Sequence, residues 1–134
     1  MNLGLIRTGI SQGLTPALGL NIYEHISGAQ SLPFGVLGNV EGIEYSKDFS
    51  GKATVSIPLW VVVDRADDVS AQQALDRAVS IGNAESVYTA VRSLADIDGK
   101  PWRSLKVLGT SPYGTFNFGA TKCLAVSFDL QISA

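Results

Sequence analysis

The sequence predicts an α+β fold, with a mainly antiparallel sheet of four to five strands and two to three helices packed on one of its faces. Strict apolar–polar alternation runs over 52–64 and again over 120–132, as in half-buried antiparallel strands. Apolar residues recur at helical spacing over 71–79 and 84–95. The order helix, strands, helices, strands is typical of this class, and the length of 134 residues predicts a single domain over 1–134.

The N-terminal third predicts one helix and one irregular strand. Apolar residues over 2–18 recur at spacings of three and four, which predicts a helix of two to three turns that ends or kinks near Pro16. Segment 20–26 fits either a short strand or a continuation of that helix. Over 34–45 the apolar residues change parity near Gly42, which predicts a strand interrupted by a bulge.

Segment 52–64 is the clearest strand. Its odd-numbered positions from Ala53 to Val63 are all apolar. The other face begins polar and becomes apolar midway, at Pro58 and Trp60. Because proline has no N–H to donate to a ladder, Pro58 predicts a sheet edge or a bulge at this point.

The remaining elements are predicted from residues that start or break helices and from apolar–polar alternation. Ser70 and Gln73 match a capping box at the start of an amphipathic helix with a small-residue face, and Gly82-Asn83 separates it from a second helix over 84–95. A strand is predicted over 103–109, and 110–119 is predicted as a turn region before the final strand.

The composition predicts an oligomer. Only 16% of the residues are charged, against about 25% in ordinary soluble domains, and interface cores are depleted in charge in this way. The net charge of −2 leaves no basic surplus for tight binding of nucleic acid. A single cysteine, Cys123, excludes an intramolecular disulfide and suggests a reducing compartment. We expect no signal peptide and no membrane span.

No residue pattern predicts catalysis, a metal or a cofactor. His25 and Cys123 are the only members of their types, and no third group is placed to orient them. Asp64, Asp67 and Asp68 form an acidic cluster, but the glycine and distal glutamate of a calcium loop are missing. A solvated loop is the simpler interpretation of that cluster.

Two groups of apolar residues are candidates for contact with a second subunit. Trp60 lies between Pro58 and Val62 on the otherwise polar face of its strand, and tryptophan is enriched at subunit contacts. Alternatively, helices of the same chain cover this face. Phe116 and Phe118 share one parity in a glycine-rich segment, where they form either a hairpin tip that inserts into a neighbour or a small satellite core.

Several of these segments form a recurring order. They are a short N-terminal helix, Leu32-Pro33-Phe34-Gly35-Val36-Leu37-Gly38, Trp60-Val61-Val62-Val63-Asp64, a helix led by Ser70, a helix with Val87-Tyr88, and Phe128-Asp129-Leu130-Gln131-Ile132. The pattern resembles the tail terminator (tail completion) proteins of long-tailed bacteriophages and covers most of residues 20–133. It departs from that family where a charged helix often follows the Asp64 loop, because here the helix is alanine-rich and split by Gly82-Asn83.

The resemblance implies a structural assembly protein and no enzyme. Such proteins form a ring, commonly hexameric, that caps the tail tube, stops its elongation and offers the surface on which the head-side connector docks. DNA passes through the channel without specific binding. The expected partners are therefore further copies of the chain, the tube protein and the connector. The expected location is the head–tail junction of the virion, after assembly in the host cytoplasm.

The loops of such a ring are expected to meet the tube or the connector. The candidates are 46–52, 64–69 and 110–119, and the second of them carries Asp64, Arg65, Asp67 and Asp68. Two alternatives stay open. One is a head–tail connector or a tail-tube protein. The other is a small α+β ligand-binding domain or enzyme, which a deep apolar pocket containing His25 would favour.

Overall fold

Helices and strands are defined by the computed structural model, which describes residues 2–25, 32–48, 51–65, 69–118 and 121–134. In chain order the elements are α1 (Leu3–Leu18), β1 (Asn21–Tyr23), β2 (Phe34–Leu37), β3 (Gly42–Tyr45), β4 (Ala53–Arg65), α2 (Val69–Val79), α3 (Val87–Ala95), β5 (Ser104–Thr110), β6 (Gly114–Phe118) and β7 (Thr121–Ser133). The fold is α+β, as predicted.

One mostly antiparallel sheet contains all seven of these strands, in the order β1-β2-β4-β7-β5. The shorter strands β3 and β6 pair with β4 and β7, and only β1 and β2 run parallel. The strand count exceeds the predicted four to five for two reasons. The predicted bulged strand over 34–45 is broken into β2 and β3, and the predicted turn region over 110–119 contains β6.

Pro58 lies in a central strand, so the predicted edge is not an edge of the whole sheet but a local interruption on one side of β4, and β4 has no bulge against β7 at this position. Strand β4 pairs along its length with β7, while β2 pairs with Leu59–Val62 and β3 with Ala53–Ser56. The missing N–H therefore faces the interruption between β2 and β3. The Pro58 carbonyl accepts a hydrogen bond of 2.8 Å from the Gly38 N–H at this interruption.

All three helices pack on one face of the sheet. The alternation predicted for β4 and β7 is confirmed, because odd residues of β4 and even residues of β7 point toward the helices. The fully buried members of this core include Ile6, Ile10, Leu14, Ile57, Leu59, Leu75, Val126, Phe128, Leu130 and Ile132. We call this side of the sheet the helix face and the other side the outer face.

Helix α1 is longer than predicted. It continues past Pro16 to Leu18, although the proline removes one N–H donor from its last turn. The Asn2 side chain accepts the Leu5 N–H at 3.1 Å and so caps the first turn. Gly19 ends the helix in the left-handed conformation, at φ 69°, and its N–H donates to the Thr15 carbonyl.

The starts of the other helices differ from prediction by a few residues. Helix α2 begins at Val69, so Ser70 lies inside the helix and not at the predicted cap position. Helix α3 begins at Val87 rather than at 84, because Ser86 is its cap and accepts the Thr89 N–H at 3.2 Å.

Candidate assembly surfaces

A second apolar cluster lies on the outer face, around the predicted interface residue Trp60. Its buried members are Phe34, Val36, Val62, Cys123 and Ala125, and Tyr23, Leu32 and Trp60 pack against them. The rings of Tyr23 and Phe34 meet edge to face, with centroids 6.0 Å apart. The cluster occupies one half of the outer face, and polar residues of β4, β5 and β7 occupy the other half.

The predicted interface patch is only partly available to a neighbour. Val62 is fully buried within the chain, so its side chain cannot contact another subunit unless this cluster opens. Trp60 and Pro58 are half-buried and stay candidates for a contact. A Cβ atom at Gly38 would lie 2.8 Å from the Pro58 ring, so glycine permits the close approach of the two segments here.

The other predicted site residues lie on β6 and at the end of β4. Phe116 and Phe118 belong to β6, but their side chains lie outside the described part of the chain. Asp64 is exposed near the end of β4. The side chain of Arg65, together with Asp67 and Asp68, also lies outside the described residues.

The chemistry at Cys123 is that of a core residue. Burial raises the pKa of its thiol, and the nearby charge of Asp64 raises it further. A thiol with a raised pKa is protonated near neutral pH and is a poor nucleophile. His25 is exposed just after β1. Within the described ranges, no group of three or more histidine, cysteine, aspartate or glutamate side chains is placed to hold a metal.

Helix α1 closes the sheet edge at β1. The Thr15 hydroxyl accepts the Ile22 N–H at 3.1 Å, and the Ser11 hydroxyl donates to the Ile22 carbonyl. Thr15 also donates to the Ser11 carbonyl at 2.8 Å, which fixes its orientation. Both outward backbone groups of Ile22 are therefore satisfied inside the chain.

A buried arginine on α1 binds the chain just after the C-terminal end of β1. Arg7 on α1 is only 9% exposed, and its guanidinium donates to the carbonyls of Glu24 and Gly38, both at 2.8 Å. A longer contact of 3.5 Å reaches the Leu37 carbonyl. Because the donors are charged, these bonds are stronger than neutral ones, and they hold the ends of β1 and β2 against the helix.

Strands β3, β5 and β6 have open edges. Among the described residues, β3 pairs only with β4, while β5 and β6 each pair only with β7. Large apolar side chains are exposed on β3 and β5, with Tyr45 on β3 at 71% and Leu108 on β5 at 53%. On the helix face, Leu3, Ile43 and Tyr45 help to line a groove of about 660 Å³ beside β3.

The short link between β5 and β6 is tied to helix α2. The Tyr113 hydroxyl donates to the Asp76 carboxylate at 2.7 Å. Desolvation, this hydrogen bond and the carboxylate charge raise the pKa of Tyr113 to about 12. The bond therefore exists only while the phenol is protonated.

Sequence reasoning missed the open edges. They depend on which strands find partners, and that is a property of topology. One local signal was present, since Glu44 and Lys106 each interrupt a short run of apolar residues in a β-rich segment, and charges are common on edge strands.

The comparisons with known proteins supply no relative. No protein-family model matches this sequence, and no curated protein is significantly similar to it. None of the helices in the described ranges has both the length and the apolar character needed to cross a bilayer.

Proposed function

We propose that this protein is a ring-forming tail terminator of a long-tailed bacteriophage, which caps the tail tube, stops its elongation and provides the surface for head docking. The proposal rests on the resemblance of its segment order to that family. The quoted segments correspond to β2, β4, α3 and β7, so they include the central strands of the sheet.

The observation that carries the proposal is the character of the surface. Only 16% of the residues are charged, and eight large apolar side chains of the described residues are exposed. Two of them, Tyr45 and Leu108, lie on the separate strands β3 and β5. A closed ring uses two different patches on each subunit, because one patch meets another on the next copy. Two separated apolar positions on opposite open edges meet that requirement.

The docking surface for the tube or the connector is assigned to the loop after β4. Asp64, the last residue but one of β4, leads into this loop and is exposed. We expect the combined replacement of Asp64, Asp67 and Asp68 by asparagine to leave the solution mass unchanged and to reduce joining of heads to tails. Unchanged joining in an infection complementation assay would remove this loop from the docking surface and leave the ring proposal intact.

Capping of growing tubes is the direct test. Tail tubes of the same phage would be assembled from purified tube protein with and without this chain, and examined by negative-stain electron microscopy. A terminator gives shorter tubes that carry a ring at one end. Tubes that reach the same lengths and carry no ring would refute the proposal. Self-polymerisation of this chain into tubes would identify a tube protein instead.

The groove beside β3 supports a second candidate, an apolar ligand-binding domain. Its volume of about 660 Å³ lies within the range of small-molecule sites, although His25 is not among its described lining residues. Saturable fluorescence of an anilinonaphthalene sulfonate dye, lost in Ile43→Asp and kept in Leu108→Asp, would favour this candidate. Absence of saturable binding in the unmodified protein would dismiss it.

A further inference from the structure

We propose that the open edge of β3 on one copy of the chain pairs with the open edge of β5 on the next copy, so that one sheet continues from subunit to subunit. This inference rests on the proposed ring and names the surface that would close it. Addition of a strand to an open edge is a common mode of recognition, because backbone hydrogen bonds provide affinity that is independent of side chains.

The two edges lie at the same level of the sheet. The register places Glu44 beside Thr54, Thr54 beside Ser133, and Ser133 beside Ser104. A line of paired residues drawn across the sheet from Glu44 on β3 therefore reaches Ser104 on β5 with no shift along the strand direction. A rotation about an axis roughly parallel to the strands would bring Glu44 of one copy opposite Ser104 of the next.

The strand directions also match. Each of the pairs β3–β4, β4–β7 and β7–β5 is antiparallel, so β3 and β5 run in opposite directions. The same rotation preserves the direction of every strand. The new contact would therefore be antiparallel, like the other pairs in this part of the sheet.

Backbone groups at both edges point outward to meet a partner. Ala53 exchanges both backbone hydrogen bonds with Ala134, so its neighbour Thr54 turns its own groups toward β3. Ile43 and Tyr45 alternate with the residues bonded to β4, and their N–H and C=O groups face away from it.

Backbone groups of β5 also point to its open side. Ser127 accepts the Ser111 N–H at 2.9 Å, so the odd residues of β7 turn their backbone groups toward the β5 side. Lys106 pairs with Gln131 and faces β7, whereas Leu105 and Val107 present their groups to the open side.

Charge selects this pairing over the alternatives. Glu44 on β3 and Lys106 on β5 are both exposed and both lie on the outer face. In the level register Lys106 would lie opposite Gly42 of the next copy and diagonal to its Glu44, within reach of a long side chain. Two β3 edges would instead bring glutamates together, and two β5 edges would bring lysines together.

Pairing would also cover apolar surface. Ile43 and Tyr45 line the groove on the helix face of β3, and a neighbouring β5 strand beside them would close it. The edge at β1 is not available for the same purpose, because Ser11 and Thr15 already satisfy the outward groups of Ile22.

Disulfide trapping tests the register. The test variant combines Glu44→Cys with Ser104→Cys. In the proposed register, position 44 of one copy lies opposite position 104 of the next, and the two residues share no backbone hydrogen bonds. The Cα atoms of such a pair lie about 4.5 Å apart, a distance that a disulfide can span. We expect mild oxidation to give a ladder of covalent species beyond the dimer on a non-reducing gel. Reduction should return the ladder to the single chain. The native Cys123 is buried and can stay in place.

Matched controls distinguish cross-linking in the proposed register from cross-linking by random collision. Each single cysteine variant can give at most a dimer. Glu44→Cys with Lys122→Cys places the second exposed cysteine at the other end of β7, away from the proposed contact. A ladder as extensive in this control as in the test variant, or no ladder in the test variant, would overturn the inference.

A charge exchange gives an independent measurement. Glu44→Lys alone and Lys106→Glu alone should each weaken association by about fivefold per interface, and the double exchange should restore it. Light scattering over a dilution series measures the effect. Single variants that associate like the unmodified protein would contradict the inference.

Failure of this inference and failure of the proposed function are distinguishable. A multimeric mass without trapping or charge dependence would mean that copies meet through another surface, which refutes edge pairing and leaves the terminator proposal in place. A trapped ladder from a protein that neither caps nor binds tail tubes would retain edge pairing and refute the terminator.

Discussion

The edges of the sheet at β1 and at β3 differ in whether their outward backbone groups have hydrogen-bond partners. At β1, hydroxyl groups of Ser11 and Thr15 on α1 satisfy the outward N–H and C=O of Ile22, and Arg7 fastens the neighbouring chain ends. At β3, the outward groups of Ile43 and Tyr45 meet no other strand among the described residues.

The β1 edge therefore has no free backbone groups at Ile22 for a further strand, whereas the β3 edge can still accept one. Exposed strand edges promote unwanted pairing, and proteins commonly cover or blunt them. A helix covers the edge at β1, while the edges of β3 and β5 are open at the same level and allow the sheet to be extended there.

At the β1 edge, we expect the largest loss of stability from Arg7→Met. The change leaves the carbonyls of Glu24 and Gly38 without their charged donor, and we expect the free energy of unfolding to fall by about 3 kcal/mol. Urea denaturation measures the change. The control is Arg92→Met on the exposed face of α3, which should stay within about 0.5 kcal/mol of the unmodified protein. Equal effects of the two substitutions would contradict the fastening role.

Thr15→Val tests the hydrogen bond that covers the β1 edge, because valine keeps the shape of threonine and removes its hydroxyl. Loss of the partner of the Ile22 N–H should cost about 1–2 kcal/mol. Hydrogen exchange at Ile22 should accelerate, while exchange in β7 should change only by the global loss of stability. Thr110→Val, on the exposed end of β5, is the matched control. Unchanged exchange at Ile22 would mean that α1 does not close this edge.

Tyr113→Phe tests the single bond that ties the link before β6 to α2, and we expect a loss of about 0.5–1 kcal/mol near neutral pH. Folding raises the pKa of Tyr113 from 10.0 to about 12, so its contribution is complete below pH 10 and is lost as the pH rises through about 12. The stability difference between the unmodified protein and the variant should therefore shrink over this range. A difference independent of pH would contradict the bond to Asp76.

The smallest effect is expected at the open edge. Tyr45 is 71% exposed, so Tyr45→Ser should change the unfolding free energy of the dilute single chain by less than about 0.5 kcal/mol. Association should nevertheless weaken, since the groove loses one wall. Denaturation at low concentration and light scattering at high concentration measure the two quantities separately. A large loss of monomer stability would show that this edge is part of the core.

Much of the fold could be predicted because its strongest signals are local. The alternation in β4 and β7 marks both faces of the central strands, and the spacing of apolar residues marks α2 and α3. Pro58 shows where local reasoning fails. Its missing N–H does require a gap in a ladder, but only the pairing of β2 and β3 with different parts of β4 could reveal that the gap lies in the sheet centre.

The candidate surfaces were less predictable. Trp60 and Val62 share a face in sequence, yet Val62 is buried by the chain itself while Trp60 stays half-exposed. Their difference arises from residues distant in sequence, such as Phe34 and Cys123. Glu44 and Lys106 lie on opposite edges only because of the strand order, which no local pattern contains.

Assembly through the open edges is tested by the solution mass of the unmodified protein, measured by light scattering behind size exclusion over a series of protein and salt concentrations. Assembly through open edges predicts a mass that rises with concentration to a fixed multiple of 14.1 kDa, near six for the commonest ring of the resembled family, and that falls with salt as the Glu44–Lys106 attraction is screened. A mass of 14.1 kDa at every concentration would contradict the account.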